Sequence, residues 1–186
     1  MIRIFGDSIS GNCQKVKWVV TRLSRPHEWI EIDVLKGETR TDEFLALNPF
    51  GQVPVIQFDD GRTLAQSNAI ILHLAEGSDL IPGDAFERAK MLEWMFWEQY
   101  SHEPVIAVRR FQKHYLNTPD DEIDPDLLAK GRRALGRMEM ALISSDWIAG
   151  GEAITLADIS LLAYTRLSHE GGFDLNEFPA VQAWVA

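Results

Sequence analysis

The stretch Asn48-Pro49-Phe50-Gly51-Gln52-Val53-Pro54-Val55-Ile56-Gln57-Phe58 decides how this chain folds, together with Asp59-Asp60-Gly61-Arg62-Thr63-Leu64-Ala65 and Gln66-Ser67-Asn68-Ala69-Ile70-Ile71-Leu72-His73-Leu74-Ala75 after it. It reads as a loop, a short apolar strand from Val53 to Phe58, a tight turn, a second strand over Arg62–Ala65 and a helix. Asp60-Gly61 between two short apolar runs is a hairpin signal, because Gly takes positive φ without penalty. The run Ala69–Ala75 is apolar apart from His73, so that helix is expected to pack on the sheet.

Two details lift the stretch above a plain hairpin and helix. Val53-Pro54 sits where a strand begins, a position at which a missing N–H is tolerated. A cis bond there would present the Val53 N–H and C=O to a peptide-like ligand, although only a small minority of X-Pro bonds are cis and spacing alone does not establish it. The second detail is Gln66-Ser67 at the helix start. A hydroxyl beside free backbone N–H groups and a positive dipole end suits a carboxylate, and it equally suits a helix cap.

Working outward, Ile2–Phe5 is a short apolar strand and Gly6–Gly11 a loop. Asn12 to Leu23 follows helical spacing with Val16, Val19, Val20 and Leu23 on one face, and Pro26 closes it. Trp29–Val34 alternates as a strand with Ile30 and Ile32 facing one way, and Thr41 or Asp42 opens a short helix around Phe44 and Leu47. With the hairpin and its helix, residues 1–76 show the order βαβ-α-ββα, which is thioredoxin-like. Residues 77–84, Gly-Ser-Asp-Leu-Ile-Pro-Gly-Asp, have linker composition.

From residue 85 to 186 the strand signals stop, and the expected class is α+β with an all-helical second domain. Ala85–Leu116 reads as one long helix that Pro104 should kink. Leu127–Ile143 is the next. Thr155-Leu156-Ala157-Asp158 is a capping box, with Ile154 and Ile159 as its hydrophobic staple, launching a helix to about Ser168. Pro179 begins another.

Composition narrows the function classes. The chain has 186 residues, 46% hydrophobic and 25% charged, which describes a globular protein. No apolar run approaches the ~20 residues of a membrane helix. Met1-Ile2-Arg3-Ile4-Phe5 lacks the apolar region of a signal peptide, and one cysteine excludes an internal disulfide, so a cytoplasmic setting is expected. Net charge is −10, with 8 Lys/Arg against 10 Asp/Glu in residues 1–76 and 10 against 18 thereafter. Such a chain repels phosphate backbones, which disfavours nucleic acid. The run Asp120-Asp121-Glu122-Ile123-Asp124-Pro125-Asp126 lacks the glycine turn and terminal Glu of a calcium loop. His102-Glu103 has no third ligand nearby for zinc, so no metal is expected.

The loop Asp7-Ser8-Ile9-Ser10-Gly11-Asn12-Cys13 leaves the carboxyl end of the first strand and enters a helix, a natural ligand position. Ser10 can donate a hydrogen bond, Asn12 an amide, and Cys13 carries the one thiol.

Asn-Pro-Phe-Gly-Gln-Val-Pro-Val, an Asp-Gly hairpin and Gln-Ser-Asn-Ala-Ile, in that order and separation, resemble the glutathione-binding half of a cytosolic-type glutathione S-transferase. The likeness extends over essentially the whole chain. It implies a thioredoxin-like domain with a cis Val53-Pro54 bond, the Val53 backbone pairing with the cysteinyl part of glutathione, and Gln66 and Ser67 holding its γ-glutamyl carboxylate. Gln52 and Arg40 would serve the glycyl end, though Arg40 reads equally as plain surface. Ser10-Gly11-Asn12-Cys13-Gln14-Lys15-Val16 resembles the bacterial theta/zeta-like serine type, with Ser10 at the glutathione sulfur and Asn12 as a second donor. Zeta-type proteins carry Ser-Ser-Cys here, and the departure weakens any transfer of their isomerase activity.

The physics of Ser10 is sufficient for that role. Lowering a thiol pKa from about 8.5 to about 6.5 needs about 2.7 kcal/mol. A charge-assisted hydrogen bond supplies roughly 1.5–3 kcal/mol and a helix N-terminus roughly 0.3–1. Cys13 as nucleophile would form mixed disulfides instead, but it lies three residues past the matching position.

The resemblance implies a transferase conjugating glutathione, its co-substrate, to a small electrophile. A glutathione-dependent disulfide reductase or peroxidase and a non-catalytic recruiting module are the rival readings. In the second domain Tyr100, His102 and Phe111 are expected to line an apolar co-substrate pocket. A homodimer is expected, with Phe50 either inserted in the partner or folded back on its own subunit.

Overall fold

The computed structural model describes all residues from Met1 to Ala186, and they divide into two compact units, Met1–Asp79 and Leu80–Ala186. In the first, β1 (Ile2–Gly6), α1 (Gly11–Arg22), β2 (His27–Glu31), α2 (Asp42–Leu47), β3 (Val55–Gln57), β4 (Thr63–Ala65) and α3 (Ser67–Ala75) follow in order. The sheet runs β2-β1-β3-β4, with β1 parallel to β2 and both hairpin strands antiparallel to their neighbours. This is the thioredoxin-like arrangement.

Pairing of Phe5 with Val55 puts both on one face, where Phe44 of α2 and the flanking Ile30, Ile32 and Leu47 cover them. The strand period of two leaves Ile4 and Ile56 to the other face. There Val16, Val19 and Val20 of α1 and Ile70, Ile71 and Leu74 of α3 complete the buried core. Each such side chain is worth roughly 1.5–3 kcal/mol. The β3–β4 turn closes through a Gly61 N–H bond to the Phe58 carbonyl (2.9 Å), with Gly61 at φ +85°.

Where the sequence predicts a strand over Trp29–Val34, the strand is His27–Glu31. Ile32 still donates to the Gly6 carbonyl at 3.0 Å, but the Val34 N–H is taken by the Asp7 carboxylate at 3.1 Å, which ends the ladder. Ile32 keeps its place in the core without belonging to the sheet.

The second unit is helical: α4 (Ala85–Trp97), α5 (Glu103–Arg110), α6 (Pro125–Leu142), α7 (Leu156–Thr165) and α8 (Pro179–Val185). Instead of one helix kinked at Pro104, residues 85–115 form α4 and α5 with five-residue π turns at Glu98–His102 and Phe111–Tyr115. Glu103 donates to Glu98, five residues back, so the wide turn lies directly ahead of the proline. A proline clashes with the carbonyl four residues before it, and the wider turn relieves this without breaking the helix. The helix from the capping box stops at Thr165, and Ser168–Gly171 continues as a 3₁₀ turn.

Gly131 lets α6 approach Phe173 and Ile106 so closely that a Cβ would overlap the Phe173 ring and lie 3.1 Å from Ile106. No helix is long and apolar enough to cross a membrane.

Candidate functional site

The loop between β1 and α1 is held from below by carboxylates. Asp7, buried, accepts from the Ile9 N–H at 2.9 Å and from Val34 at 3.1 Å, fixing the loop to the segment after β2. Glu31 accepts from the Ser8 N–H and from the Trp29 indole, both at 2.7 Å. Burial, the largest single influence, raises the Glu31 pKa, but these donors and Lys17 together outweigh it and hold the carboxyl below its ordinary value.

Ser10 occupies the N-cap position of α1 in extended backbone (φ −77°, ψ 125°), and its Oγ accepts from the Cys13 N–H at 3.4 Å. Its hydroxyl also lies against the Cys13 thiol, which accepts from the Asp7 N–H at 3.3 Å. Cys13 is fully buried, and that burial pushes its pKa up to about 12, with the Ser10 and Asp7 hydrogen bonds only partly offsetting it. The thiol is therefore a protonated packing group at neutral pH.

Facing α1 is the start of α3. Asn12 Oδ1 accepts from the Ser67 hydroxyl at 3.1 Å, joining two of the candidate residues directly. Ser67 is the first helical residue, not the cap. The cap position belongs to Gln66, exposed and at φ +70°, which makes no side-chain capping bond. Few non-glycine residues take such a φ, and those that do often cluster at ligand clamps.

The third wall is the loop into β3. Asn48, buried, donates to the Gln52 carbonyl at 2.7 Å and accepts from the Phe50 N–H at 3.2 Å, forming an Asx turn. The Val53-Pro54 bond is cis. Val53, half-buried, spends neither its N–H nor its C=O on a hydrogen bond within the chain, unlike Val55, which pairs with Ala65. Arg40 lies over Gly51, where a Cβ would strike its guanidinium and meet the Thr39 carbonyl at 3.1 Å. Gln52 is exposed beside it, and Phe50 is 70% exposed on the same loop.

In the second unit His102 departs from expectation. It is fully buried and does not line a pocket. Thr165 Oγ1 spends its proton on the Leu161 carbonyl (2.8 Å) and so accepts from His102 Nε2 at 3.0 Å. Tyr100 and Phe111 remain exposed. The sequence reading assigned no role to Asp7, Asn48 or Glu31. Asp7 and Asn48 could have been noticed as turn formers next to a strand end, whereas Glu31 carries no such mark.

Residues 9–76 match the family model for the N-terminal domain of glutathione S-transferases. A solved glutathione S-transferase from Pseudomonas fluorescens is 44% identical, superposes with a TM-score of 0.95, and the match covers 99% of this chain and 92% of that one. Another from Xanthobacter autotrophicus is 42% identical with a TM-score of 0.92, over 100% of this chain and 91% of that one. The disulfide-bond oxidoreductase YfcG of Escherichia coli is 28% identical over 93% of this chain and 83% of its own. The chain belongs to the glutathione S-transferase family.

Proposed function

We propose that the protein binds glutathione as its thiolate and conjugates it to an electrophilic small molecule. The observation that carries this reading is the Ser67–Asn12 hydrogen bond, which joins the opening turns of α1 and α3 beside Ser10. Ser10 donates to the glutathione sulfur and Asn12 its amide to the same atom. Val53, ahead of Pro54, pairs with the cysteinyl backbone. Gln66 and Ser67 take the γ-glutamyl carboxylate, and Gln52 and Arg40 the glycyl carboxylate. The glutathione-binding domain is residues 1–76 and the linker 77–84, with 85–186 the helical domain. The serine at position 10 supports assignment to the theta/zeta-like serine type, acting in the cytoplasm.

A second reading rests on the similarity to YfcG, which is named as a disulfide-bond oxidoreductase. The same stabilised thiolate would attack a disulfide sulfur, forming a mixed disulfide and expelling the other thiolate. A panel of electrophiles, peroxides and small disulfides assayed with glutathione separates the two. Turnover confined to disulfides or peroxides would replace conjugation, and no turnover with any would favour a recruiting module.

The protein works as a homodimer with Phe50 as an anchor. A phenylalanine 70% exposed on a loop releases roughly 1.5–3 kcal/mol when covered. Sedimentation of wild type and Phe50→Ala tests it: the variant should dissociate at concentrations where wild type stays dimeric. A monomeric wild type would remove the dimer, and an equally tight Phe50→Ala dimer would remove Phe50 as its anchor.

A further inference from the structure

Asn48 is buried and closes the loop into β3 with its backbone and its side chain together. Its N–H, at the C-cap of α2, donates to the Phe44 carbonyl at 2.9 Å, and its carbonyl accepts from the Gly51 N–H at 2.9 Å. Its side chain accepts from the Phe50 N–H at 3.2 Å and donates through Nδ2 to the Gln52 carbonyl at 2.7 Å. Phe44 belongs to the core, so the loop is tied to a rigid part of the unit.

An Asx turn needs only the side-chain acceptor, which aspartate would supply as well. The donor is the surplus. An amide offers both, whereas a carboxylate would set a charged oxygen against the Gln52 carbonyl. The carbonyl that Asn48 holds belongs to the same peptide unit as the Val53 N–H. That unit is trans, and its planarity makes the C=O and the N–H point in opposite directions. Drawing the Gln52 carbonyl toward the buried amide therefore turns the Val53 N–H away from it. Val53 is half-buried and its N–H makes no hydrogen bond within the chain. A backbone donor in that condition calls for an acceptor from outside.

We propose that Asn48 is a positioning residue for glutathione: its amide holds the Gln52 carbonyl and so aims the Val53 N–H at the cysteinyl carbonyl of the tripeptide. This rests on the reading that Val53 pairs with the cysteinyl backbone. A donor fixed before binding costs nothing to orient when the ligand arrives.

The test compares glutathione with its isostere in which a trans C=C replaces the cysteinyl–glycyl amide, removing the carbonyl acceptor, by calorimetric Kd for wild type and Asn48→Ala. Asn48→Ala should weaken glutathione about tenfold and the isostere less than about twofold. In NMR spectra at saturating glutathione the Val53 amide proton should move downfield in wild type, and that shift should shrink in Asn48→Ala. Equal weakening of both ligands would mean a merely structural role and overturn the proposal, as would no weakening of either or an undiminished Val53 shift. Should Asn48→Ala not fold, Asn48→Ser carries the same comparison with the same deciding outcomes, since its hydroxyl can still accept from the Phe50 N–H. A wild type that binds both ligands equally, or neither, would instead overturn the Val53 assignment itself, and the Asn48 role with it.

Discussion

The helix starts of the second unit and those of α1 and α3 in the first are built from the same chemistry and left in opposite conditions. The other helix of the first unit, α2, is closed by Thr41, whose hydroxyl accepts from the Phe44 N–H. In the second unit each helix that begins from a loop has its N-terminus filled. Asp84 accepts from Phe86 and Glu87, Asp124 from Asp126, and Glu139 of α6 reaches across to Ala180 and Val181 of α8. The start of α7 is the most complete. Asp158 accepts from Ile148, from both the N–H and hydroxyl of Thr155, and from the Trp184 indole. In the first unit α1 is capped by a long 3.4 Å bond to Ser10, and Gln66 makes no capping bond for α3. A closed helix start is a structural device, and an open one keeps its donors for a ligand.

The largest expected effect lies on the closed side. Asp158→Ala strands two backbone N–H groups, a hydroxyl and an indole N–H, and should lower unfolding stability by about 3 kcal/mol, read from the urea midpoint. A loss below about 1 kcal/mol would mean that α7 does not depend on its cap.

Ser10→Ala should do the reverse, with a modest stability change and a large loss of activity. Turnover should fall roughly 10–100-fold, equivalent to about 1.4–2.7 kcal/mol, with the pH profile moved alkaline. The cap itself should cost only about 0.5 kcal/mol, the low end for a long bond. Cys13→Ala should leave turnover and its pH profile intact while costing about 1 kcal/mol of packing, measured by denaturation. Loss of activity there with a dispensable Ser10 would reverse the chemistry.

The smallest effect is at Glu31, which tethers the β1–α1 loop. Its folded pKa is depressed, so its contribution is present above the ordinary glutamate value and lost as pH falls through the folded one. Exposure limits it to a few tenths of a kcal/mol. Glu31→Gln should therefore melt slightly below wild type at pH 7 and match it only once the pH has fallen below the depressed folded pKa of Glu31. An undiminished difference at low pH would remove the carboxylate as the cause.

What the sequence made legible follows from range. The hairpin, the α7 capping box and the proline starts at Pro125 and Pro179 are local, and each is written in adjacent residues. The Val53-Pro54 cis bond came from resemblance, since nothing in the spacing requires it. The strand edge at Glu31 was misread because Ile32 and Val34 look like strand residues, while a carboxylate far back in sequence takes the Val34 N–H. His102 read as a pocket aromatic because its partner, Thr165, is 63 residues away.

The contrast between closed and open helix starts is tested most directly by thermal unfolding with and without glutathione. At about a hundredfold excess over Kd, wild type should gain about 2.7 kcal/mol. Asp158→Ala should begin lower and gain the same amount, and Ser67→Ala should begin near wild type and gain markedly less. An unchanged wild-type melting temperature in millimolar glutathione would contradict the account, because the open start of α3 would then hold no such ligand.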